Sequence, residues 1–156
     1  MFRRSLLVAA LVLVPLAVAA GPAGVAAASG PAGHASASCS GVIQITQLAF
    51  NPPAVTAGGS STANLAARNC TGSSQQTTAV WMGSFGGASG CPAIDPVAQA
   101  ASFAPHGQFR SGVGYLVPAG CTASQLQVTV EIEQGGTVLA TRTADLTIII
   151  QAAAAS

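Results

Sequence analysis

Between Leu126 and Glu133 apolar and polar residues alternate without a break: Leu126, Val128, Val130 and Ile132 in one phase, Gln127, Thr129, Glu131 and Glu133 in the other. A period of two is the period of a pleated strand, and a helix cannot bring such residues onto one face. One apolar and one polar face describe a strand packed on a core on one side and solvated on the other, the habit of antiparallel sheets. Gln134-Gly135-Gly136 follows, and glycine accepts the positive φ of a tight hairpin turn. The next run places Val138, Ala140, Ala144, Leu146, Ile148 and Ile150 in one phase, but Arg142 falls in that phase too. A bulge or break near Arg142 is therefore expected, and the whole run is long for one strand.

Weaker alternation recurs upstream. Ile43 and Ile45 are in step, whereas Leu48 and Phe50 are out of step with them, which places a kink near Gln47. Ala63, Leu65 and Ala67 form a second set, Ala79, Trp81 and Phe85 a third, and Phe109, Val113, Tyr115 and Val117 another. Asn51-Pro52-Pro53 and Ala57-Gly58-Gly59 break the chain between strands. No stretch reads convincingly as a helix; Val97 to Phe103 is the only candidate, and a turn or two there would not change the class. Six or seven short strands separated by turn signals predict a β-sandwich.

The start of the chain reads as an export signal. Arg3-Arg4 is a positive n-region, Leu6 to Ala20 an apolar core too short to span a bilayer, and Ala17-Val18-Ala19, Ala26-Ala27-Ala28 and Ala35-Ser36-Ala37 are small-residue cleavage sites. Residues 1–28 are accordingly expected to be the signal peptide, with cleavage anywhere from 19 to 37. Residues 29–38 are expected to be a flexible linker, 39–151 the folded domain and 152–156 a disordered tail. The Arg pair admits twin-arginine export; the very short n-region and strongly apolar core favour the general secretory route. Ser36-Ala37-Ser38 lacks the Leu that a lipobox places before its Cys, and no later apolar run is long enough to span a membrane. Only 6% of the residues are charged and none is Lys. Arg68, Arg110 and Arg142 face Asp95, Glu131, Glu133 and Asp145 in the expected domain, a net charge of −1 that offers no basic footprint for nucleic acid or an anionic membrane.

An even set of cysteines, Cys39, Cys70, Cys91 and Cys121, in an exported chain implies two disulfides. No Cys-x-x-Cys pair points to zinc. Three pairings are possible, and the spacing does not choose among them.

The stretch ITQLAFNPPAVTAGGSSTANLAARN, from Ile45 to Asn69, resembles the opening of bacterial cell-adhesion-related Ig-like domains of the CARDB kind. There an apolar strand leads to a Pro turn, then Val and Gly, then an alternating strand ending in Asn. FAPHGQF from Phe103 is similar to the family's Pro-Gly turn, with His106 inserted, and LQVTVEI from Leu126 to its penultimate strand. The resemblance implies an all-β, Ig-like seven-stranded antiparallel β-sandwich with two disulfides and an extracellular, non-catalytic role. In that topology the start of the first strand and the end of the second share one end of the sandwich. The loops after the third strand and before the penultimate one share the other. The topology thus implies Cys39–Cys70 and Cys91–Cys121, each closing a loop of roughly 30 residues worth about 3.5 kcal/mol in the chain-entropy picture.

Candidate chemistry is sparse. Glu131 and Glu133 project to one face about 6.7 Å apart by strand rise, near the spacing of inverting glycosidases, but a solvated strand face explains them as well. His106 could serve as a base with Asp95 and a Ser, yet no nucleophile elbow is present. His34 lies in the leader or linker. Asn69-Cys70-Thr71 matches a glycosylation acceptor. Trp81 is either a sugar-stacking platform or, as on the third strand of Ig-type sandwiches, a core residue. No catalytic, cofactor-binding or metal residue is assigned. The sequence leads us to expect a secreted, extracellular, monomeric, non-catalytic module. Its partner would be an unknown extracellular protein or glycan, and neither nucleic acid nor, once the signal is removed, membrane. A small-ligand carrier or a protease-inhibitor-like binding protein, with Ser84 to Pro96 around Cys91 as its loop, is the alternative. A small secreted hydrolase is the third.

Overall fold

The computed structural model describes residues 38–150. The expected signal peptide (1–28), nearly all of the linker (29–38), His34, Gln151 and the tail (152–156) lie outside the described residues.

Eight strands follow one another: β1 (Ile43–Asn51), β2 (Ala54–Thr56), β3 (Ser60–Asn69), β4 (Gln75–Ser84), β5 (Val97–Phe103), β6 (Gln108–Leu116), β7 (Gln125–Gln134) and β8 (Thr137–Ile149). They form a three-stranded sheet in the order β1-β3-β6 and a five-stranded sheet in the order β2-β8-β7-β4-β5. One hydrophobic core draws on both sheets, a sandwich-like arrangement. Leu65, Ala67 and Tyr115 come from the first sheet, and Trp81, Phe103, Leu126, Val130 and Leu146 from the second. The alternating residues of β7 fill its centre: Leu126, Val128, Val130 and Ile132 have no exposed surface. Each such side chain contributes about 1.5–3 kcal/mol of burial free energy.

Three expectations are corrected. The strand count is eight rather than seven, and the larger sheet is mixed rather than purely antiparallel. The extra strand is β2: after Asn51-Pro52-Pro53 turns the chain, Ala54–Thr56 pairs parallel with Thr147–Ile149 at the end of β8. Three residues with one buried side chain, Val55, are too short a signal for periodicity to register. Second, Val97 to Phe103 is a strand, not a turn of helix. Its register with Gln75–Trp81 of β4 supplies the hydrogen-bonding partners that its Ala-rich sequence does not specify by itself.

Third, the bulge in β8 is at Leu139 rather than near Arg142. Ile132 pairs with Ala140 and Glu133 with Val138, so Leu139 is the extra residue, and Val138 is turned out to solvent. With the bulge included, β8 is one continuous strand of 13 residues. Arg142 stays in register opposite Val130. Its guanidinium escapes the core by reaching the carbonyls of Ile45 and Thr46, each at 3.2 Å. Those carbonyls flank the bulge in β1, where Ile45 pairs with Ala67 and Gln47 with Ala66, leaving Thr46 unmatched. The loss of phase between Ile45 and Leu48 in the sequence marks this bulge.

Candidate functional site

The registers define two ends. Ile43 pairs with Asn69, and Arg68 with Gln108, so the segment before β1, the β3–β4 loop and the β5–β6 turn share one end. Cys39 and Cys70 lie there and are joined, with Cα atoms 5.6 Å apart. At the other end Ser60 pairs with Leu116 and Ser84 with Gln127, which brings the β2–β3 turn, the β4–β5 loop and the β6–β7 loop together. Cys91 and Cys121 are joined there, with Cα atoms 4.5 Å apart. Both separations lie in the range a disulfide requires.

The first end is held by a buried amide. Asn69 is 1% exposed. Its Nδ2 donates to the carbonyls of Ser73 (2.6 Å) and Ala104 (2.9 Å). Its Oδ1 accepts from the Thr71 backbone N–H (2.9 Å) and hydroxyl (2.8 Å). All four hydrogen-bonding positions of the amide are used, and Asn69 is a pin between β3, the following loop and the β5–β6 turn. It cannot accept a glycan as it stands. The spacing of a glycosylation motif carries no sign of this role; only burial reveals it. In the turn, the Gly107 N–H donates to the Ala104 carbonyl at 2.9 Å. With Pro105 first and His106 second at φ 53°, this is a type II turn, whose second central residue must adopt positive φ. His106 is exposed, and its backbone N–H donates to the Thr71 carbonyl at 3.0 Å.

His106 and Asp95 flank opposite ends of β5, roughly 20 Å apart by strand rise, and so do not come together as base and partner. Glu131 and Glu133 lie on the outer face of β7, paired with Val80 and Thr78 of β4 and with Thr141 and Val138 of β8. No polar neighbour across those pairs forms a cleft. Among the described residues no cluster of three or more His, Cys, Asp or Glu could hold a metal, and no helix is long and apolar enough to cross a membrane. Trp81 is 1% exposed and lies in the core, so it is no stacking platform. Its buried Nε1–H has no hydrogen-bond partner among the described residues.

The Cys91–Cys121 end differs in kind. Leu116, Ile149 and Ile150 stand 67%, 51% and 57% exposed. Three shallow hollows open at this end. One is lined by Thr56, Ala57, Ala119 and Ile149 among others, one by Asn51, Pro52, Tyr115 and Leu116 among others. The third lies along Phe85 and Cys91 to Ile94. Beneath them Tyr115 packs edge-on against Phe50, with ring centroids 6.0 Å apart. Burial pushes its phenol pKa up to about 12. The sequence marked the β4–β5 loop through Cys91 but not Leu116 or Ile149, and its periodicity placed Ile150 in the inward phase of the last strand, whereas Ile150 lies just past the end of β8 and is exposed.

No family profile and no curated protein matches the chain. Among solved structures, the chain is similar to the alkylpurine DNA glycosylase AlkC of Pseudomonas fluorescens bound to DNA containing an abasic site analog. The TM-score is 0.54 and the identity 14%, over 69% of this chain and 30% of that one. The sporulation control protein Spo0M of Bacillus subtilis matches with a TM-score of 0.41 and 10% identity, over 72% of this chain and 51% of that one. The likeness to the glycosylase is one of fold alone, and this chain spans less than a third of that protein.

Proposed function

We propose that the chain is a secreted, non-catalytic Ig-like module of the cell-adhesion-related kind, acting as a monomer and binding an extracellular protein or glycan through its Cys91–Cys121 end. The observation that carries this reading is the uneven apolar exposure: among the described residues Val97, Leu116, Ile149 and Ile150 are exposed toward this end, against Val138 at the other. Leu116, Ile149 and Ile150 are left in solvent around loops that a disulfide ties together. Apolar side chains gathered at one braced end are what a binding surface needs, whereas scattered ones need no explanation. Two disulfides suit an oxidising compartment. The titratable groups are dispersed: Asp95 at one end, His106 at the other, Glu131 and Glu133 on an outer strand face. That dispersal favours binding over catalysis. The DNA contact of the glycosylase is not carried over, because a likeness at 14% identity is one of fold alone.

The test is site-specific photo-crosslinking on the oxidised domain added to the producing culture, with the probe at Leu116 or at Thr137 in the hairpin of the opposite end. A partner captured from Leu116 and not from Thr137 is the expected result. Capture from Thr137 alone, or from neither, overturns the proposal.

A further inference from the structure

Cys91 to Pro96 contains no strand, helix or hydrogen-bonded turn, and Pro92, Ala93, Asp95 and Pro96 are exposed. Such a segment ordinarily fluctuates; this one is clamped on both sides. On its N-terminal side Cys91 is bonded to Cys121. Next to it the Ser89 carbonyl accepts both the N–H and the hydroxyl of Thr122, each at 3.0 Å. Gly90, at φ 71°, passes so close to Gly120 that a Cβ would stand 2.0 Å from its carbonyl oxygen. On the C-terminal side the half-buried Ile94 packs over Gly83, where an added Cβ would meet its Cδ1 at 3.0 Å and the Tyr115 ring at 3.1 Å. Val97 then enters β5 opposite Trp81. Pro92 and Pro96 fix their own φ near −65° and hold Cys91 and Asp95 to extended conformations. The result is a short, pre-extended, exposed backbone with a small side chain, Ala93, between a disulfide and an anchored isoleucine.

We propose that this segment is a protease-binding loop, presenting the Ala93–Ile94 bond to a serine endopeptidase whose primary pocket takes small aliphatic side chains. The inference rests on the binding-module reading and names its partner class. Endopeptidases take substrates as extended strands through main-chain hydrogen bonds, and a small primary pocket selects residues such as Ala. A loop already extended forgoes the ordering entropy that a flexible substrate loses, so it binds more tightly. When the enzyme serine attacks, its Oγ bonds to the Ala93 carbonyl carbon, the C–N bond breaks and the Ile94 nitrogen takes the proton. Ile94 packing and β5 hold that amine beside the acyl group, while the disulfide holds Ala93. Re-formation of the peptide bond, releasing the serine, then outruns attack by water.

The oxidised domain is assayed against pancreatic elastase and subtilisin with chromogenic peptide substrates, and Ala93→Asp and Ala93→Lys are assayed beside it, with Trp81 emission as the folding control. Competitive inhibition at sub-micromolar concentration is expected, weakened about 100-fold by Ala93→Asp and redirected to trypsin by Ala93→Lys. Absence of inhibition by the wild type together with absence of trypsin inhibition by Ala93→Lys overturns the proposal. So does rapid, complete cleavage at Ala93–Ile94. If inhibition fails while Leu116 still crosslinks a partner, the module stands and only the protease assignment falls.

Discussion

The two ends of the sandwich are each closed by one disulfide, yet they are built oppositely. At the Cys39–Cys70 end a fully satisfied polar side chain, Asn69, gathers two loops inward. At the Cys91–Cys121 end loops are packed backbone against backbone at Gly90 and Gly120, and apolar side chains point outward. A buried amide rigidifies because leaving any of its bonds unmade is costly. Apolar residues left in water stabilise nothing in the isolated domain. The contrast teaches that equal covalent bracing accompanies a buried polar pin at one end and outward apolar side chains at the other.

Removing the disulfides is the strongest way to break the comparison. Cys39→Ser/Cys70→Ser and Cys91→Ser/Cys121→Ser are each expected to cost about 3.5 kcal/mol, nearly additively because the sites are distant. Only the second pair should release Cys91–Pro96 to proteolysis. Denaturant melts and limited proteolysis check this, and equal protection of the loop in both variants would erase the distinction between the ends.

The core between the ends comes next. Trp81→Ala is expected to cost about 3–5 kcal/mol. Trp81→Phe should cost much less, because it also removes the buried N–H that lacks a partner. The chain has one Trp, so the emission of the wild type reads its burial directly. A water-exposed emission maximum would contradict the core position.

Asn69→Ala should cost about 2–3 kcal/mol by leaving buried donors and acceptors unpaired. Its hydrogen-exchange signature should be confined to the β3–β4 loop and the β5–β6 turn. Exchange spreading to Ala88–Ile94 would mean the ends are coupled.

The phenol of Tyr115 reports on the opposite end. It is the chain's one tyrosine, and phenolate absorbance should rise near pH 12 instead of 10. With the folded pKa raised, the folded state retains a proton that the unfolded state gives up. This group therefore leaves stability unchanged below pH 10 and lowers it as pH climbs through 12. Tyr115→Phe should abolish that alkaline loss, as thermal melts across the range will show. The smallest effect belongs to the turn: His106→Asn should raise stability by about 0.5 kcal/mol, since Asn tolerates positive φ better. A loss of stability there would mean the His106 ring itself is structural.

What the sequence determined by itself was local and periodic. The strand β7, its Gly135-Gly136 turn, with φ of 57° and 81°, and the kink in β1 follow from the pleat of a strand and the freedom of glycine, which neighbours need not be known to invoke. What it could not determine was pairing. Val97–Phe103 is strand because β4 lies beside it, and Ala54–Thr56 because the end of β8 does. Arg142 keeps its place in an inward phase because two carbonyls of a bulge in another sheet come within its reach. Asn69 is a pin instead of a surface residue because the turn after β5, a long way off along the chain, folds over it. Only tertiary structure decides such matters: hydrogen bonds and burial are set by which segments meet, and the residues that meet here are far apart in sequence.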